Sequence, residues 1–141
     1  MERKASAVWS GGLKDGKGMI TAPSGAFKDV PYNFNMRFEN EPGTNPEELV
    51  AAAHAGCFSM ALSGQLDAAK LKADRIATTA SVTLEKTDAG FTVTAVHLDV
   101  RAKVPGADKK AFDTAAENAK KGCPISRLLN AKISMSATLE S

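Results

Sequence analysis

The 141-residue sequence is poor in the side chains that carry most protein chemistry: it has two cysteines, two histidines, one tryptophan and one tyrosine. Lysine and arginine never form a cluster longer than a doublet and the formal net charge is +2, which argues against nucleic acid as a partner. The N-terminus has no apolar signal core, and no uncharged apolar run reaches the ~20 residues that span a membrane. We therefore expect a cytoplasmic protein with no membrane partner.

Two common kinds of active site are also missing. The sequence has neither a glycine-rich phosphate loop nor a Gly-x-Ser-x-Gly elbow. A zinc site would have to use His54, His97, Cys57 and Cys123, and these lack the paired spacing of structural zinc ligands. In a reducing cytosol, two cysteines are more often reactive, metal-binding or inert than permanently disulfide-bonded. The thiols are therefore the main candidates for chemistry.

Hydrophobic patterns predict one domain, residues 1–141, with elements in the order βββ-α-ββ-αα-β. Because the strands come in hairpins, the predicted class is α+β with mainly antiparallel sheets. The predicted strands cover about 5–9, 18–22, 27–38, 76–84, 91–104 and 133–140, with a hairpin turn at 87–90 and a bulge near Ala95. The predicted helices cover about 46–69 and 109–121, and a short one begins at Pro124.

Local signals define the helix ends. Asn45 is a good N-cap before Pro46, and Asp108 is a good N-cap for the second long helix. Gly122 is expected to stop that helix in a C′ position. The first long helix is apolar on all sides, which predicts burial all round and favours a dimer with this helix at the interface.

Cys57 lies within that small-residue helix, where burial resists ionisation of a thiol. One interpretation is an inert core cysteine. A functional thiol would need a nearby cation, for which Arg37 is the candidate because it lies just before the helix, opposite the apolar face of segment 27–38. Glu47 or Glu48 could hold its guanidinium.

Cys123 lies between Gly122 and Pro124 at a predicted helix N-terminus, where the dipole and free N–H groups favour a thiolate. Lys120 and Lys121 should add to this effect. From the residues alone, Cys123 is predicted to be the more acidic thiol. His54 shares a helix face with Cys57, either as a packed, hydrogen-bonded histidine or as part of a Cys–His pair.

Three segments resemble the OsmC/Ohr family: 44–49, 52–62 and 122–126. The resemblance extends over essentially the whole chain, and His54 and Arg37 make it more similar to the osmotically inducible OsmC branch than to the Ohr branch. It implies an intertwined α+β homodimer with a long central helix and active sites at the subunit interface. It also implies a thiol-dependent peroxidase that reduces organic hydroperoxides, and hydrogen peroxide more slowly.

The resemblance also implies residue roles. Cys57 is the peroxidatic thiol, Cys123 is the resolving thiol that forms a disulfide with it, and Arg37 and Glu47 activate the Cys57 thiolate. A small dithiol or a lipoyl group regenerates the enzyme, so no bound cofactor and no metal are expected. Phe58 and Met60 are expected to form apolar walls that favour an alkyl hydroperoxide.

Two questions stay open at the level of the sequence. On a straight helix the ten residues from Glu47 to Cys57 correspond to ~15 Å of rise, so Glu47 acts either from a loop or through Arg37. The alternative function is a non-catalytic, dimeric small-molecule binding module with incidental cysteines. Loss of two thiols per equivalent of hydroperoxide distinguishes the enzyme from this module.

Overall fold

The computed structural model describes all residues, 1–141, and the chain divides into two compact units, Met1–Leu49 and Val50–Ser141. The strands are β1 (Ser6–Ser10), β2 (Lys17–Thr21), β3 (Val30–Tyr32), β4 (Arg75–Thr87), β5 (Gly90–Lys103) and β6 (Lys132–Glu140). The helices are α1 (Phe34–Phe38), α2 (Pro46–Ala68), α3 (Lys109–Gly122) and α4 (Pro124–Leu128). This is the predicted mixed α+β class, with a long helix and two small sheets.

The first unit is built on an antiparallel sheet of order β1-β2-β3. Gly18 in β2 lies opposite Trp9 in β1 and Tyr32 in β3. A Cβ atom at Gly18 would come within 2.5 Å of the Tyr32 ring, so glycine is needed where the Trp9 and Tyr32 rings pack, 5.4 Å apart at their centroids. The close approach places both rings near the segment that follows β3.

The prediction of one extended segment over 27–38 is wrong. Only β3 is extended, and Asn33 begins the short helix α1 by accepting a hydrogen bond from the Met36 backbone N–H, 2.8 Å away. Phe34 and Phe38 are four residues apart and pack with their ring centroids 4.8 Å apart, as helical spacing allows. An apolar residue at every second position fits a strand, but the asparagine cap decides the structure here.

The second unit has a sheet of order β4-β5-β6. β4 and β5 form the predicted antiparallel hairpin, and Thr83 pairs with Ala95 whereas Leu84 pairs with Val93. Thr94 is therefore the extra residue of a bulge beside Ala95, as predicted. β6 runs parallel to β5, since α3 and α4 return the chain between them. The sheets are mainly antiparallel, with this one parallel pair.

The core of the second unit joins α2 to β5 and α3. Buried residues on α2 recur every four positions, which gives one buried stripe: His54, Phe58, Leu62 and Leu66. They belong to the same hydrophobic cluster as Val96 and Leu98 of β5 and Phe112 of α3. Met60, on another face of α2, is 79% exposed, so burial on all sides is not seen within one chain.

α2 also has the length and composition of a membrane-spanning helix, with 23 residues and a mean hydropathy of 1.3. A core helix of a water-soluble protein meets the same two criteria, so this feature alone is weak evidence for a membrane span.

Both predicted N-caps are confirmed. Asn45 accepts a hydrogen bond from the Glu48 backbone N–H at 2.8 Å, and Asp108 accepts one from the Ala111 backbone N–H at 2.7 Å. The predicted stop at Gly122 differs in detail, because Gly122 is the last residue of α3 and has no positive φ. Cys123 itself ends α3 and begins α4. One cysteine therefore serves two helix ends.

Candidate active site

The two cysteines, 66 positions apart in the sequence, meet in the second unit. Cys57 lies half-buried in the middle of α2, and Cys123 is fully buried between α3 and α4. Their Sγ atoms are 2.9 Å apart and both thiols are free. At this distance the two sulfur atoms can share one proton, so the pair must be treated as one titrating system.

Cys123 is surrounded by hydrogen-bond donors. The Ser126 backbone N–H donates to its Sγ at 3.5 Å, as expected for an N-cap side chain. Burial alone would raise the pKa of Cys123, but hydrogen bonds from Cys57, from the backbone and side chain of Ser126 and from the Ile125 backbone lower it below the usual value. This direction agrees with the order expected from the residues alone, in which Cys123 is the more acidic thiol.

Cys57 shows the opposite behaviour. Burial raises the pKa of its thiol, and the hydrogen bond with Cys123 raises it further. A hydrogen bond with the Ile125 backbone opposes these effects without overcoming them. The opposite pKa directions of the two thiols favour Cys123 as the ionised member of the pair.

The lysines before Cys123 have another partner. Lys120 and Lys121 both pair with Glu117, with N–O distances of 3.3 and 3.5 Å. The prediction that these lysines help to ionise Cys123 is not supported, because hydrogen bonds around the sulfur account for its lowered pKa.

His54 is fully buried on α2 and its Nε2 lies 2.7 Å from the Ser126 hydroxyl oxygen. Its Nδ1 is buried with no hydrogen-bond partner. Burial lowers the pKa of the imidazole, so His54 is neutral. The expected packed, hydrogen-bonded histidine is confirmed, and its partner is a residue of α4 rather than Cys57.

The contacts of the second histidine, His97, bear on the zinc hypothesis. The ring nitrogens of His97 lie 2.7 and 3.2 Å from the hydroxyls of Ser134 and Ser136 on β6. No group of three or more histidine, cysteine, aspartate or glutamate side chains is arranged to hold a metal ion. This arrangement gives the zinc interpretation no support.

In the first unit, Arg37 and Glu47 form a forked ion pair. Arg37 Nη2 and Nε donate to the Glu47 carboxylate at 2.7 and 3.1 Å. The Arg37 side chain is 37% exposed, and its Cζ lies 5.2 Å from the centroid of the Phe38 ring. The two-point contact holds the guanidinium plane in one orientation. Of the two candidate glutamates, Glu47 rather than Glu48 is the partner of Arg37.

The first turn of α2 contains Glu47, so this residue is helical and does not act from a loop. The loop route that was open at the level of the sequence is therefore excluded, and the route through Arg37 stays a prediction. Phe58 is fully buried in the core, which contradicts its expected role as a pocket wall.

A cavity of about 280 Å³ lies beside Arg37 in the first unit. Its lining is mostly aromatic and apolar: Trp9, Leu13, Tyr32, Asn33, Phe34, Arg37 and Phe38. It thus combines one cation with apolar walls. The sequence did not reveal this pocket, because its walls come from β1, β3 and a helix that was predicted as a strand.

Ser126 is the site residue that the sequence interpretation missed. It is 8% exposed and contacts both His54 and Cys123. The available signal was its place in the sequence, three positions after the capping Cys123, where side chains commonly reach back to the cap.

Comparison with known proteins gives a consistent result. The OsmC-like protein family model matches residues 38–138. The chain is 48% identical to Peroxiredoxin OsmC of Escherichia coli (strain K12) over 141 residues, 100% of this chain and 99% of that protein. It is 34% identical to the organic hydroperoxide resistance protein of Xanthomonas axonopodis pv. citri (strain 306) over 69% of this chain and 67% of that one.

The fold agrees with these sequence relatives. The crystal structure of an OsmC like protein from Mycoplasma pneumoniae superposes with a TM-score of 0.79 at 15% identity, over 100% of this chain and 99% of the other. A family match over most of the chain, a full-length relative and the same fold lead to one conclusion. The chain belongs to the OsmC family.

Proposed function

We propose that the chain is a thiol-dependent peroxidase that reduces organic hydroperoxides to alcohols, with Cys57 as the attacking thiol and Cys123 as the resolving thiol. The observation that carries the proposal is the 2.9 Å contact between two free Sγ atoms, one of them in a setting that favours a thiolate. Full-length similarity to a peroxiredoxin supports the same reaction class.

The reaction has two stages. The Cys57 thiolate attacks the distal peroxide oxygen, the O–O bond breaks, and the alkoxide leaves as an alcohol after taking a proton. Cys57 is then a sulfenic acid, and the Cys123 thiolate displaces its hydroxide, which leaves as water, to form a disulfide. A dithiol or lipoyl-type reductant returns both thiols by exchange.

The first stage needs the negative charge on Cys57, although the contacts within the pair favour Cys123. We propose that Arg37, oriented by Glu47, supplies the difference. A guanidinium ~4 Å from a thiolate contributes ~4 kcal/mol at an effective dielectric constant of about 20. That is as large as about two charge-assisted hydrogen bonds of ~2 kcal/mol each. A cation at that distance from Cys57 would therefore be sufficient to move the shared proton from Cys57 to Cys123.

The cavity beside Arg37 is the proposed site for the organic part of the substrate. Its aromatic and aliphatic walls stabilise an alkyl or aryl group by burial, which hydrogen peroxide cannot use. Reduction of hydrogen peroxide is therefore the slower reaction. An organic group bound in this cavity would lie beside the Arg37 guanidinium.

We also propose that the chain works as a cytoplasmic homodimer. Apolar side chains of β1, α2 and the loop after β1 are exposed in the single chain: Val8 68%, Leu13 69% and Met60 79%. A second copy of the chain could cover such exposed apolar side chains in a subunit interface. Sedimentation at micromolar concentration should give twice the chain mass, and a monomer would contradict the proposal.

Mass spectrometry of the intact protein tests the chemistry. One equivalent of cumene hydroperoxide should remove two hydrogens from the reduced protein and leave no free thiol. Peptide mapping should then find Cys57 joined to Cys123 within one chain. Two thiols unchanged after exposure would favour a binding module with incidental cysteines.

A further inference from the structure

A line of buried polar groups leads from His54 to Cys123. His54 Nε2 lies 2.7 Å from Ser126 Oγ, and the Ser126 backbone N–H donates to Cys123 Sγ at 3.5 Å. Hydrogen bonding by the Ser126 side chain also lowers the pKa of Cys123. His54 is fully buried and Ser126 is 8% exposed, so water does not compete freely for these bonds. The line ends on the sulfur that the proposed function assigns to disulfide formation.

The unpartnered nitrogen of His54 determines the direction of these hydrogen bonds. A neutral imidazole carries one N–H donor and one acceptor nitrogen. If Ser126 donated to Nε2, the N–H would be on Nδ1, where it would be buried without an acceptor. Orphaned buried N–H donors are rarer than under-satisfied acceptors. The favoured tautomer therefore has its proton on Nε2, which donates to Ser126 Oγ.

The hydroxyl proton of Ser126 is then free to point at Cys123. We propose that His54 and Ser126 form a one-way hydrogen-bond relay, Nε2–H to Oγ–H to Sγ, that returns Cys123 to its thiolate form for the resolving step. This inference rests on the proposed function. Both are positioning residues, because they act through Cys123 and touch no substrate.

The relay matters at one moment of the cycle. When Cys57 attacks, the shared proton passes to Cys123, which must release it to the departing alkoxide before it can displace hydroxide from the Cys57 sulfenic acid. In that displacement the S–S bond forms, the S–O bond breaks, and the hydroxide takes up a proton to become water. A donor aimed at Cys123 Sγ favours the ionised form that this step uses.

Few other ionisable groups are placed to favour the ionised form of Cys123. Cys57 is the titratable side chain in contact with Cys123 from α2, and His54 acts through Ser126. Lys120 and Lys121 on α3 pair with Glu117. The relay can therefore be tested by itself, without peroxide.

The test follows ionisation of Cys123 in reduced Cys57→Ser protein, by the ultraviolet absorbance of the thiolate as pH is varied. The double variant Cys57→Ser/Cys123→Ser provides the baseline, including the signal of Tyr32. Adding Ser126→Ala should raise the pKa of Cys123 by about one pH unit, the effect of losing one hydrogen bond to a charged group. Adding His54→Leu should raise it by less, and His54→Gln should restore it, because glutamine places an N–H donor at the same position along the side chain.

The sign of the His54→Leu effect distinguishes the two directions. If Ser126 instead donates to His54, removal of the imidazole frees the hydroxyl for Cys123, and the pKa of Cys123 falls. A fall, or no change in either Ser126→Ala or His54→Leu, overturns the relay. If Ser126→Ala does not fold, the His54→Leu and His54→Gln pair still decides.

A second measurement is independent of any substitution near the thiols. Nitrogen NMR of the two imidazole rings, assigned with His97→Gln, should show His54 as the neutral tautomer with the proton on Nε2. A proton on Nδ1 would overturn the proposal. Neither measurement depends on peroxide, so failure of the relay is distinct from failure of the peroxidase assignment, which the mass experiment tests.

Discussion

Cys57 and Cys123 are held by two different kinds of backbone, although their sulfur atoms are 2.9 Å apart. Cys57 lies in the middle of a 23-residue helix, where backbone N–H groups are already bonded to carbonyls of the preceding turn. Cys123 begins a helix, where the first N–H groups have no such partners and turn to its sulfur. The comparison shows how position in a helix, rather than residue type, can decide which of two touching thiols carries the charge.

The largest effect is expected when one of the two cysteines is replaced at a time, which tests whether the two thiols have different roles. Cys57→Ser should abolish reaction with hydroperoxide, because a serine hydroxyl does not ionise near neutral pH. Cys123→Ser should react once and stop at a Cys57 sulfenic acid that dimedone traps or that over-oxidises. Peptide mapping of the adduct is the measurement. An adduct on Cys123 in the Cys57→Ser protein would mean that the more acidic thiol attacks first.

The next effect concerns Arg37, the cation that is proposed to make Cys57 rather than Cys123 the thiolate. Arg37→Ala should slow Cys57 oxidation about 100-fold, as for loss of a group that stabilises developing charge, while circular dichroism stays unchanged. Stopped-flow measurement of thiol loss gives the rate. The adjacent glutamates are a matched pair, since Glu47 holds Arg37 through two hydrogen-bonding nitrogens. Glu47→Gln should slow the reaction, and equal slowing by Glu48→Gln would contradict this role.

A smaller effect concerns the burial of His54, which lies on the Cys123 side of the thiol pair. Burial lowers the pKa of His54 from its usual value of 6.5, so the unfolded chain binds a proton here at higher pH than the folded one. The stability from this group is therefore present above pH 6.5 and is lost as pH falls toward the lowered folded pKa, with a slope of at most ~1.4 kcal/mol per pH unit.

Urea unfolding between neutral and mildly acidic pH measures that slope. His54→Gln should flatten it, whereas the control His97→Gln should leave it unchanged. An identical slope in the His54→Gln protein would show that protonation of the buried imidazole does not limit stability.

The smallest expected effect tests whether Lys120 and Lys121 contribute to the acidity of Cys123. Lys120→Ala and Lys121→Ala should change the rate of disulfide formation less than about twofold, because both ammonium groups pair with Glu117 and an ion pair acts more weakly on a third charge than a lone cation does. Quenched-flow trapping of the sulfenic acid measures this rate. A tenfold slower rate of disulfide formation would indicate that the lysines make Cys123 acidic.

Local chemistry made much of the fold predictable. Asn45 and Asp108 cap their helices as short-range rules require, and the bulge at Thr94 follows from apolar positions that change phase along β5. The helix α1 was missed because alternate apolar residues obscured the cap at Asn33. In that case a single side chain to backbone hydrogen bond outweighs a pattern of five residues.

The site was less predictable. Resemblance to a family supplied the pairing of Cys57 with Cys123, which no local rule could give across 66 positions. The His54–Ser126 contact spans 72 positions and depends on how α4 packs against α2. Side-chain contacts of this length arise from tertiary packing, and a single sequence carries no direct record of them.

The double use of Cys123, as the last cap of one helix and the first of the next, has a consequence for survival under oxidant load. A disulfide needs its sulfur atoms at ~2.05 Å, so closure from 2.9 Å requires a movement of only about 1 Å, and neither helix has to unwind. A thiol held this close behaves as if it were present at an enormous local concentration. In the proposed reaction a second peroxide molecule must compete with it for the Cys57 sulfenic acid, so a fast resolving step would protect the enzyme from irreversible over-oxidation by its own substrate.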